Sequence, residues 1–398
     1  MLGRPRGGAG IGSFVVSWRR FFCKEVDVRV RFAPSPTGEL HLGGVRTALF
    51  NFLFARRHEG TFLLRIEDTD QSRTVPGAEE RILSDLTWMG IPPDAGTEIY
   101  KQSEHLPHYR EHAEQLILQG HAYRCFCTPE RLDALRKSAK DKGKPSFYDR
   151  KCLHLSADQI RDNLDRALPH TIRMLVPREQ SVTVKDMVYE SIKFECSSVD
   201  DQILIKSDGF PTYHLASVVD DHHQRISHVI RGEEWMPSVP KHLLLYHFFK
   251  WRPPRFAHLP LLLNLDKSKL SKRQEASSLQ WYRDQGYEKE AILSYIAALG
   301  WTPPRREEDE HNCLTLTDLK KTFSLDDIHK SGAVVDTKKL SSINSHFLNQ
   351  LGMSDFQRLV DSALPVIEEV VQFPLRERFT DDYIHRVIQL ITVSDFGR

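Results

Sequence analysis

The chain has 398 residues, 40% of them hydrophobic, and a formal net charge of +1. That length leaves room for two or three domains with real cores, and no apolar run approaches membrane-spanning length, so no membrane partner is expected. Five of the 55 basic residues fall within the first 24 positions, leaving 50 against 54 acidic ones; any nucleic-acid site must therefore be a local patch and not a global field.

Residues 1–24 hold Arg4, Arg6, Arg19, Arg20 and Lys24 with no acid before Glu25, mixed with serine, glycine and aromatics. This composition reads as a disordered organellar transit peptide and predicts a mitochondrial matrix location. The GGAGIG run inside it is no dinucleotide fingerprint, because no strand precedes it and no acidic partner follows at the required distance. Six cysteines are too few for a disulfide scaffold at this length.

The stretch RVRFAPSPTGELHLGGVRT organises the rest of the chain. Val28–Phe32 reads as a buried strand, stopped by Pro34, Pro36 and Gly38. His41, Leu42, Gly43 and Gly44 then open an amphipathic helix that runs to Arg57. A strand, a tight turn and a glycine-rich helix start make a corner where free N–H groups and the helix dipole favour phosphate. Phe62–Ile66 is a second strand, ending in RIEDTD (Arg65–Asp70). Helices are expected over Gly77–Met89, with Pro76 suited to the start, and over Pro107–Gln119, stopped by Gly120. This alternation predicts an α/β fold: a Rossmann-like parallel sheet with helices on both faces and ligands beyond the C-terminal strand ends. Its first half spans 25–122.

An insertion is expected over 123–207, where charge rises and Lys137–Lys151 reads as a basic loop. It carries Cys125-x-Cys127 and, 24 residues on, Cys152-x-His154, a set of soft thiolates and an imidazole that suits tetrahedral zinc. Cys196 and Cys313 have no partner at metal spacing and read as packing residues. The second half of the sheet domain, 208–279, begins after a short strand at Gln202–Lys206. A turn at Gly209–Pro211 presents Tyr213 and Ser217 to a cleft. Asp220, Asp221, His222 and His223 read as solvated charges at the end of an element and not as a metal site. Val229–Arg231 is another strand, followed by Gly232, Glu233, Glu234 and Trp235. KLSKR (Lys269–Arg273) follows the apolar run HLPLLLNL and is expected in a loop between strand and helix. Helical periodicity then covers Tyr287–Leu299, Leu316–Phe323, Lys338–Leu351 and Asp382–Thr392, with linkers at Gly300–Pro304 and Arg305–Glu310. The terminal Asp395-Phe396-Gly397 has no kinase partner motifs.

PSPTGELHLGG, RIEDTD, DGFPTYHLASVVDDH (Asp208–His222), VIRGEEW (Val229–Trp235) and SKLSKR occur in this order, and the chain from about Val28 to about Gly332 resembles the class I glutamyl-tRNA synthetases of bacterial and organellar type. HLGG takes the place of that family's HIGH motif, with Gly44 in its fourth position, and KLSKR that of its KMSKS motif. The resemblance implies an insertion that holds the tRNA acceptor end, a helical stem-contact region over 280–337, and the start of an anticodon-binding helical domain over 338–398. That domain is normally considerably longer, so a shortened end is expected here.

Free glutamate carries one ammonium and two carboxylates, so a site selecting it over glutamine needs a cation, for which arginine's fork is best suited. Arg31 and Arg231 stand at two strand ends, and either can hold the side-chain carboxylate; Glu67 can accept from the ammonium. By motif position the resemblance places Arg31, Phe32, Ala33, Ser35 and Glu67 around the amino acid. From the later motifs it adds Tyr213, His214, Leu215, Ala216, Ser217 and Arg231, with Ser217 where many bacterial relatives carry asparagine. For ATP it implies His41, Gly43, Glu234, Lys269, Leu270, Ser271, Lys272 and Arg273, of which His41, Lys269 and Lys272 are the catalytic group. Cations there offset charge as the carboxylate attacks the α-phosphate, and a mobile loop can close over ATP and release pyrophosphate. The implied reaction is glutamyl-adenylate formation with ATP and Mg²⁺, then transfer to tRNA-Glu by a monomer; whether tRNA-Gln is a second acceptor stays open in the sequence. Some bacterial members of the family share the C-x-C-x24-C-x-H arrangement. Two other readings stay open: a tRNA-modifying glutamyl transferase, whose second motif is usually degraded whereas KLSKR is intact, and a non-catalytic RNA-binding relative.

Overall fold

The structure is a computed structural model that describes residues 27–143, 145–270, 278–304 and 313–350, together with Leu364, Glu368, Thr380, Tyr383 and Arg386. The proposed transit segment, Ser271–Arg273, the Arg305–Glu310 linker and most of the Asp382–Thr392 helix lie outside the described residues. In chain order the elements are β1 (Arg29–Phe32), α1 (Leu42–Arg57), β2 (Thr61–Ile66), α2 (Ala78–Trp88), β3 (Tyr100–Lys101), α3 (Leu106–Leu118), β4 (Ala122–Cys125), α4 (Pro129–Asp141) and α5 (Ala157–Asp165). Then come β5 (Thr171–Met174), β6 (Ser181–Asp186), β7 (Glu190–Glu195), β8 (Ile203–Ile205), α6 (Tyr213–His223), β9 (His228–Gly232), α7 (Val239–Phe248), β10 (Arg255–Leu259) and β11 (Leu262–Leu263). The last are α8 (Leu279–Asp284), α9 (Lys289–Ala297), α10 (Leu316–Thr322), β12 (Ala333–Val334) and α11 (Thr337–Gln350). None of the described helices is long and apolar enough to cross a membrane. The chain divides into two compact units.

The first unit takes Met1–Gly38, Phe54–Arg81 and Pro93–Pro260. Its strands β1, β2 and β3 pair in parallel, with Arg31 opposite Leu63 and Arg65 opposite Tyr100. A second group, in the order β7-β6-β10-β9, has parallel β6–β10 and β10–β9 pairs. The Ser227 N–H donates to the Arg29 carbonyl (2.9 Å) and Arg29 N–H to Ser227 Oγ (2.8 Å), tying β1 to the start of β9. After Thr61, every residue of β2 is buried, as expected of a parallel strand covered on both faces. The expected α/β parallel sheet is thus present.

The inserted stretch is less separate than its composition suggests. Strands β4, β5 and β8 form an antiparallel sheet of their own. The β6–β7 hairpin instead extends the main sheet, Asp186 lying opposite Phe256. The loop reading of Lys137–Lys151 is corrected at its start, since Lys137 and Lys140 lie in α4. That helix starts with the Thr128 hydroxyl accepting from Arg131 N–H and with Pro129 in its first turn, where a missing N–H costs nothing.

The second unit takes Glu39–Leu53, Ile82–Pro92 and Leu261–Arg398. Its core joins the early part of α1 to the later helices. Phe50 packs on Phe323 at 5.0 Å, Trp301 on Phe323 at 5.5 Å, and Arg46 donates to the Leu299 carbonyl (3.2 Å). The expected helices appear as α9, α10 and α11, with ends shifted by a residue or two. Cys196 and Cys313 are buried, in keeping with packing roles.

Candidate active site

Three arginines at the C-terminal ends of parallel strands are almost wholly buried: Arg31 on β1, Arg65 on β2 and Arg231 on β9. Two of them share one carboxylate. Asp221 accepts from Arg31 Nε (2.9 Å) and from Arg65 Nη1 (2.7 Å). Arg65 also reaches Glu67 (3.2 Å) and, at 4.0 Å, Asp220. Asp220 in turn accepts from the Tyr100 and Tyr109 hydroxyls and from Gln102 Nε2, at 2.7 to 3.0 Å. Burial opposes the charge on Arg65, but Asp221, Glu67 and Asp220 drive its pKa above the ordinary arginine value. Burial likewise opposes ionisation of Asp221, and Arg31 and Arg65 outweigh it, holding that carboxyl below the usual range. For Asp220 and Glu67 burial wins and both are pushed up. The reading of Asp220 and Asp221 as solvated charges is therefore corrected. They sit in the last turns of α6 and face the arginines, whereas His222 and His223 beside them are exposed.

Arg231 is different. Its Nε donates to His258 Nε2 (3.1 Å), Nη1 to the Tyr213 hydroxyl (2.8 Å) and Nη2 to the Trp235 carbonyl (3.3 Å). Among the described residues no carboxylate forms a salt bridge with it. Tyr213 opens α6, its ring 4.4 Å from Trp235, and its hydroxyl is pushed up mainly by burial. His214 Nδ1 lies 3.2 Å from Nε2 of His242 on α7; burial holds the His214 pKa at about 3 and that of His242 far below normal, so both rings are neutral. Phe32 is buried, Ala33 half-buried and Ser35 exposed at the end of β1. Leu215 and Ala216 belong to the apolar core. Ser217 is fully buried and its hydroxyl has no hydrogen-bond partner among the described residues; four residues from both Tyr213 and Asp221, it shares the helix face that those two turn toward the arginines.

The second unit holds the phosphate corner. His41 immediately precedes α1, its carbonyl accepting from Val45 N–H (3.0 Å) and its Nδ1 from Gly44 N–H (3.1 Å). The imidazole thus caps the helix, a role usually given to Ser, Thr or Asp. A Cβ on Gly43 would lie 3.2 Å from the His41 ring and 3.7 Å from Leu262. Leu262 and Leu270 are joined by a backbone bond (2.9 Å), and Leu263 pairs with Lys269 across a turn at 264–268. Beyond it, Ser278 pairs with His41, and Leu279 N–H donates to the Leu40 carbonyl (2.7 Å). The histidine corner and both flanks of the lysine segment therefore converge. Lys269 is exposed and Leu270 half-buried; Ser271, Lys272 and Arg273 lie outside the described residues. Glu234 is exposed, in the first unit, just after β9.

In the inserted stretch the sulfurs of Cys125, Cys127 and Cys152 come together, Cys127 and Cys152 at 3.5 Å. The Tyr148 hydroxyl lies 3.3 Å from Cys125 and from Cys127 and accepts from Cys152 N–H (3.1 Å). The hydrogen bond with Cys152 pulls the Cys125 thiol far below its ordinary range and pushes Cys152 up. His154 does not join this group, which corrects the four-ligand set. Cys152 and His154 fall in one 3₁₀ turn, where residues two apart point to different sides, and His154 is exposed.

Residues 27–342 match the family of class I tRNA synthetases for Glu and Gln, catalytic domain. A glutamate–tRNA ligase of Alkaliphilus metalliredigens is 44% identical over 86% of this chain and 71% of its own. The chain belongs to the glutamate–tRNA ligase family of class I synthetases. Another member, from Chloroherpeton thalassium, is 45% identical over 92% of this chain and 75% of its own. The solved glutamate-tRNA synthetase of Elizabethkingia anophelis is 35% identical, with a TM-score of 0.84, covering 93% of this chain and 79% of that one. A glutamate tRNA ligase from Elizabethkingia meningosepticum, solved in complex with its amino acid, is 34% identical with a TM-score of 0.83. The class I synthetase fold expected from the motifs is therefore present.

Sequence reasoning missed Asp220, Asp221, His258, Asp186 and Tyr148. The available signal was a need and not a motif: arginines at buried strand positions require acids or other acceptors somewhere in the chain. A Gly43→Ala substitution should press on the His41 ring and disturb the cap. The expected result is a KM for ATP raised by about threefold or more with KM for glutamate unchanged, which corresponds to losing a fraction of one cap. An unchanged KM for ATP would place Gly43 outside the nucleotide contacts.

Proposed function

We propose that this chain attaches L-glutamate to tRNA-Glu through a glutamyl-adenylate, using ATP with Mg²⁺. The observation that carries the choice of amino acid is Arg231, a buried cation 5% exposed whose hydrogen bonds all go to neutral groups. A buried charge without a counter-charge is costly, so the site is incomplete until an anion arrives. The Arg31 and Arg65 charges are already met by Asp221. Glu67, which bonds Arg65 and feels the charge of Arg31, suits the substrate ammonium, with the α-carboxylate beside it. Arg231 then holds the side-chain carboxylate, and a glutamine amide cannot replace that charge.

His41, the Gly43 N–H and Lys269, with Lys272 by motif position, hold the ATP phosphates and offset the charge that builds as the substrate carboxylate attacks the α-phosphate. Pyrophosphate leaves, and a hydroxyl of the ribose at the tRNA 3′ end then attacks the adenylate carbonyl, releasing AMP. Glu234 suits a contact with ribose or adenine. The proposed enzyme is a monomer, and charging assays with tRNA-Glu and tRNA-Gln side by side decide whether tRNA-Gln is a second acceptor. Arg231→Gln should raise KM for glutamate about ten- to hundredfold, the loss of a charged hydrogen bond worth about 1.5–3 kcal/mol. KM for ATP should stay within about a factor of two in ATP–pyrophosphate exchange with tRNA-Glu present. Unchanged glutamate affinity would remove Arg231 from the pocket.

We also propose a zinc ion on Cys125, Cys127 and Cys152, with the Tyr148 hydroxyl beside them. Three clustered sulfurs fit a soft-ligand divalent ion. When bound, it would cross-link β4 to the turn at Cys152 and take no part in the chemistry. Elemental analysis of dialysed protein should give about one zinc per chain; less than about a tenth would reject the site.

The basic, acid-free first 24 residues support import into the mitochondrial matrix. Fused to a fluorescent reporter, they should direct it to mitochondria, and a diffuse signal would reject that location.

A further inference from the structure

Three neighbouring strands bring three polar side chains to one face. Arg231 on β9 lies opposite His258 on β10, and Phe256, two residues before His258 and on the same face, lies opposite Asp186 at the end of β6. Arg231 Nε donates to His258 Nε2 (3.1 Å), and His258 Nδ1 lies 2.6 Å from Asp186 Oδ2. The His258 and Asp186 side chains are both 0% exposed. The other Asp186 oxygen accepts from the backbone N–H groups of Val188 (2.9 Å) and Tyr189 (3.0 Å). The carboxylate is thereby anchored to the main chain.

The proton positions follow from donor chemistry. An arginine Nε carries a hydrogen and cannot accept. His258 Nε2 must therefore present a lone pair to it, and Nδ1 carries the ring proton, which it donates to Asp186. Burial, together with the charge on Arg231, lowers the His258 pKa against the pull of Asp186. For Asp186 burial works upward, yet the bond from His258 and those from the backbone hold it below the ordinary carboxylate range. The triad is an ionised acid, a neutral imidazole and a charged guanidinium.

This arrangement separates orientation from neutralisation. Asp221 touches Arg31 and Arg65 directly, so it fixes those cations and also cancels their charge locally. His258 fixes Arg231 through a neutral ring, and the nearest acid of that triad stands one imidazole further away. We propose that His258 and Asp186 are positioning residues that hold the Arg231 guanidinium oriented, and with its charge unspent, for the side-chain carboxylate of glutamate. The proposal rests on the assignment of Arg231 to that carboxylate. Among the described residues three of arginine's five N–H donors are engaged, by His258, Tyr213 and Trp235, and two are left for the substrate. Asp186 lies in the inserted stretch, so that stretch takes part in holding Arg231 through His258.

Two substitutions at one position separate the halves of the relay. His258→Asn keeps an N–H near Nδ1 for Asp186 but has no acceptor that reaches Arg231. His258→Gln can place its amide oxygen near Nε2. In ATP–pyrophosphate exchange with tRNA-Glu present, His258→Asn should raise KM for glutamate about tenfold while KM for ATP and the melting temperature change little, and His258→Gln should recover most of the loss. Asp186→Asn should act like His258→Asn, because its amide can donate to Nδ1 and so turn an N–H toward Arg231. Equal losses in both His258 variants, shared by glutamate and ATP and accompanied by a lower melting temperature, would mean packing alone and would overturn the proposal. So would an unchanged KM for glutamate in His258→Asn and Asp186→Asn while Arg231→Gln raises it. If Arg231→Gln also leaves that KM unchanged, the pocket assignment itself falls, and the positioning role with it.

Discussion

The first unit depends on one buried carboxylate. Asp221, 4% exposed, holds the guanidinium groups of Arg31 and Arg65, which come from adjacent parallel strands more than 150 residues away in sequence. Two cations at neighbouring strand ends repel each other and lose their water on burial, so without this acid these strand ends would be strongly disfavoured. Breaking one partner out of such a buried cluster costs about 3–5 kcal/mol. The same contact seats the last turn of α6 against β1 and β2, and this in turn sets the helix start. Tyr213, in the first turn of α6, reaches Arg231 because its last turn is held by Arg31 and Arg65.

Three buried arginines on one sheet could have been three equal binding groups. Their partners make them unequal. Arg65 is surrounded by Asp221, Asp220 and Glu67 and serves as the centre of an internal ion cluster. Arg31 shares Asp221 and so offers only part of its charge. Arg231 alone of the three is held by an imidazole, a phenol and a carbonyl, none of which cancels its charge. Selecting an acid over its amide requires a cation of that last kind, because an arginine already paired within the protein gains little from a second carboxylate. The division of roles therefore follows from what each guanidinium touches, although all three occupy similar places on the sheet.

Much of this was legible in the residues. The strand, proline turn and glycine-rich helix start at 29–47, the arginines at strand ends and the ordered motifs were enough to name the fold, and Cys125, Cys127 and Cys152 could be grouped by spacing. What escaped depended on distant partners. The run Asp220-Asp221-His222-His223 looks uniformly polar, and only the helical phase set against Arg31 and Arg65 tells its buried half from its exposed half. His258 stands in an apolar strand where a lone histidine carries no motif, and composition groups Asp186 with the insertion although its hairpin joins the main sheet. Sequence proximity groups His154 with Cys152, and a 3₁₀ turn separates their side chains.

The motif departure at Gly44 yields to the same kind of argument. What the structure asks of position 44 is a backbone N–H, which His41 Nδ1 accepts at 3.1 Å. That bond fixes the imidazole: with Nδ1 taken as acceptor, the neutral ring carries its proton on Nε2. Any residue except proline supplies the N–H, so a histidine side chain at 44 is dispensable for orienting His41. Position 43 is more constrained, because a Cβ there would stand 3.2 Å from the ring that the cap has just fixed. The two glycines of HLGG thus answer different demands, one for a main-chain donor and the other for space beside His41.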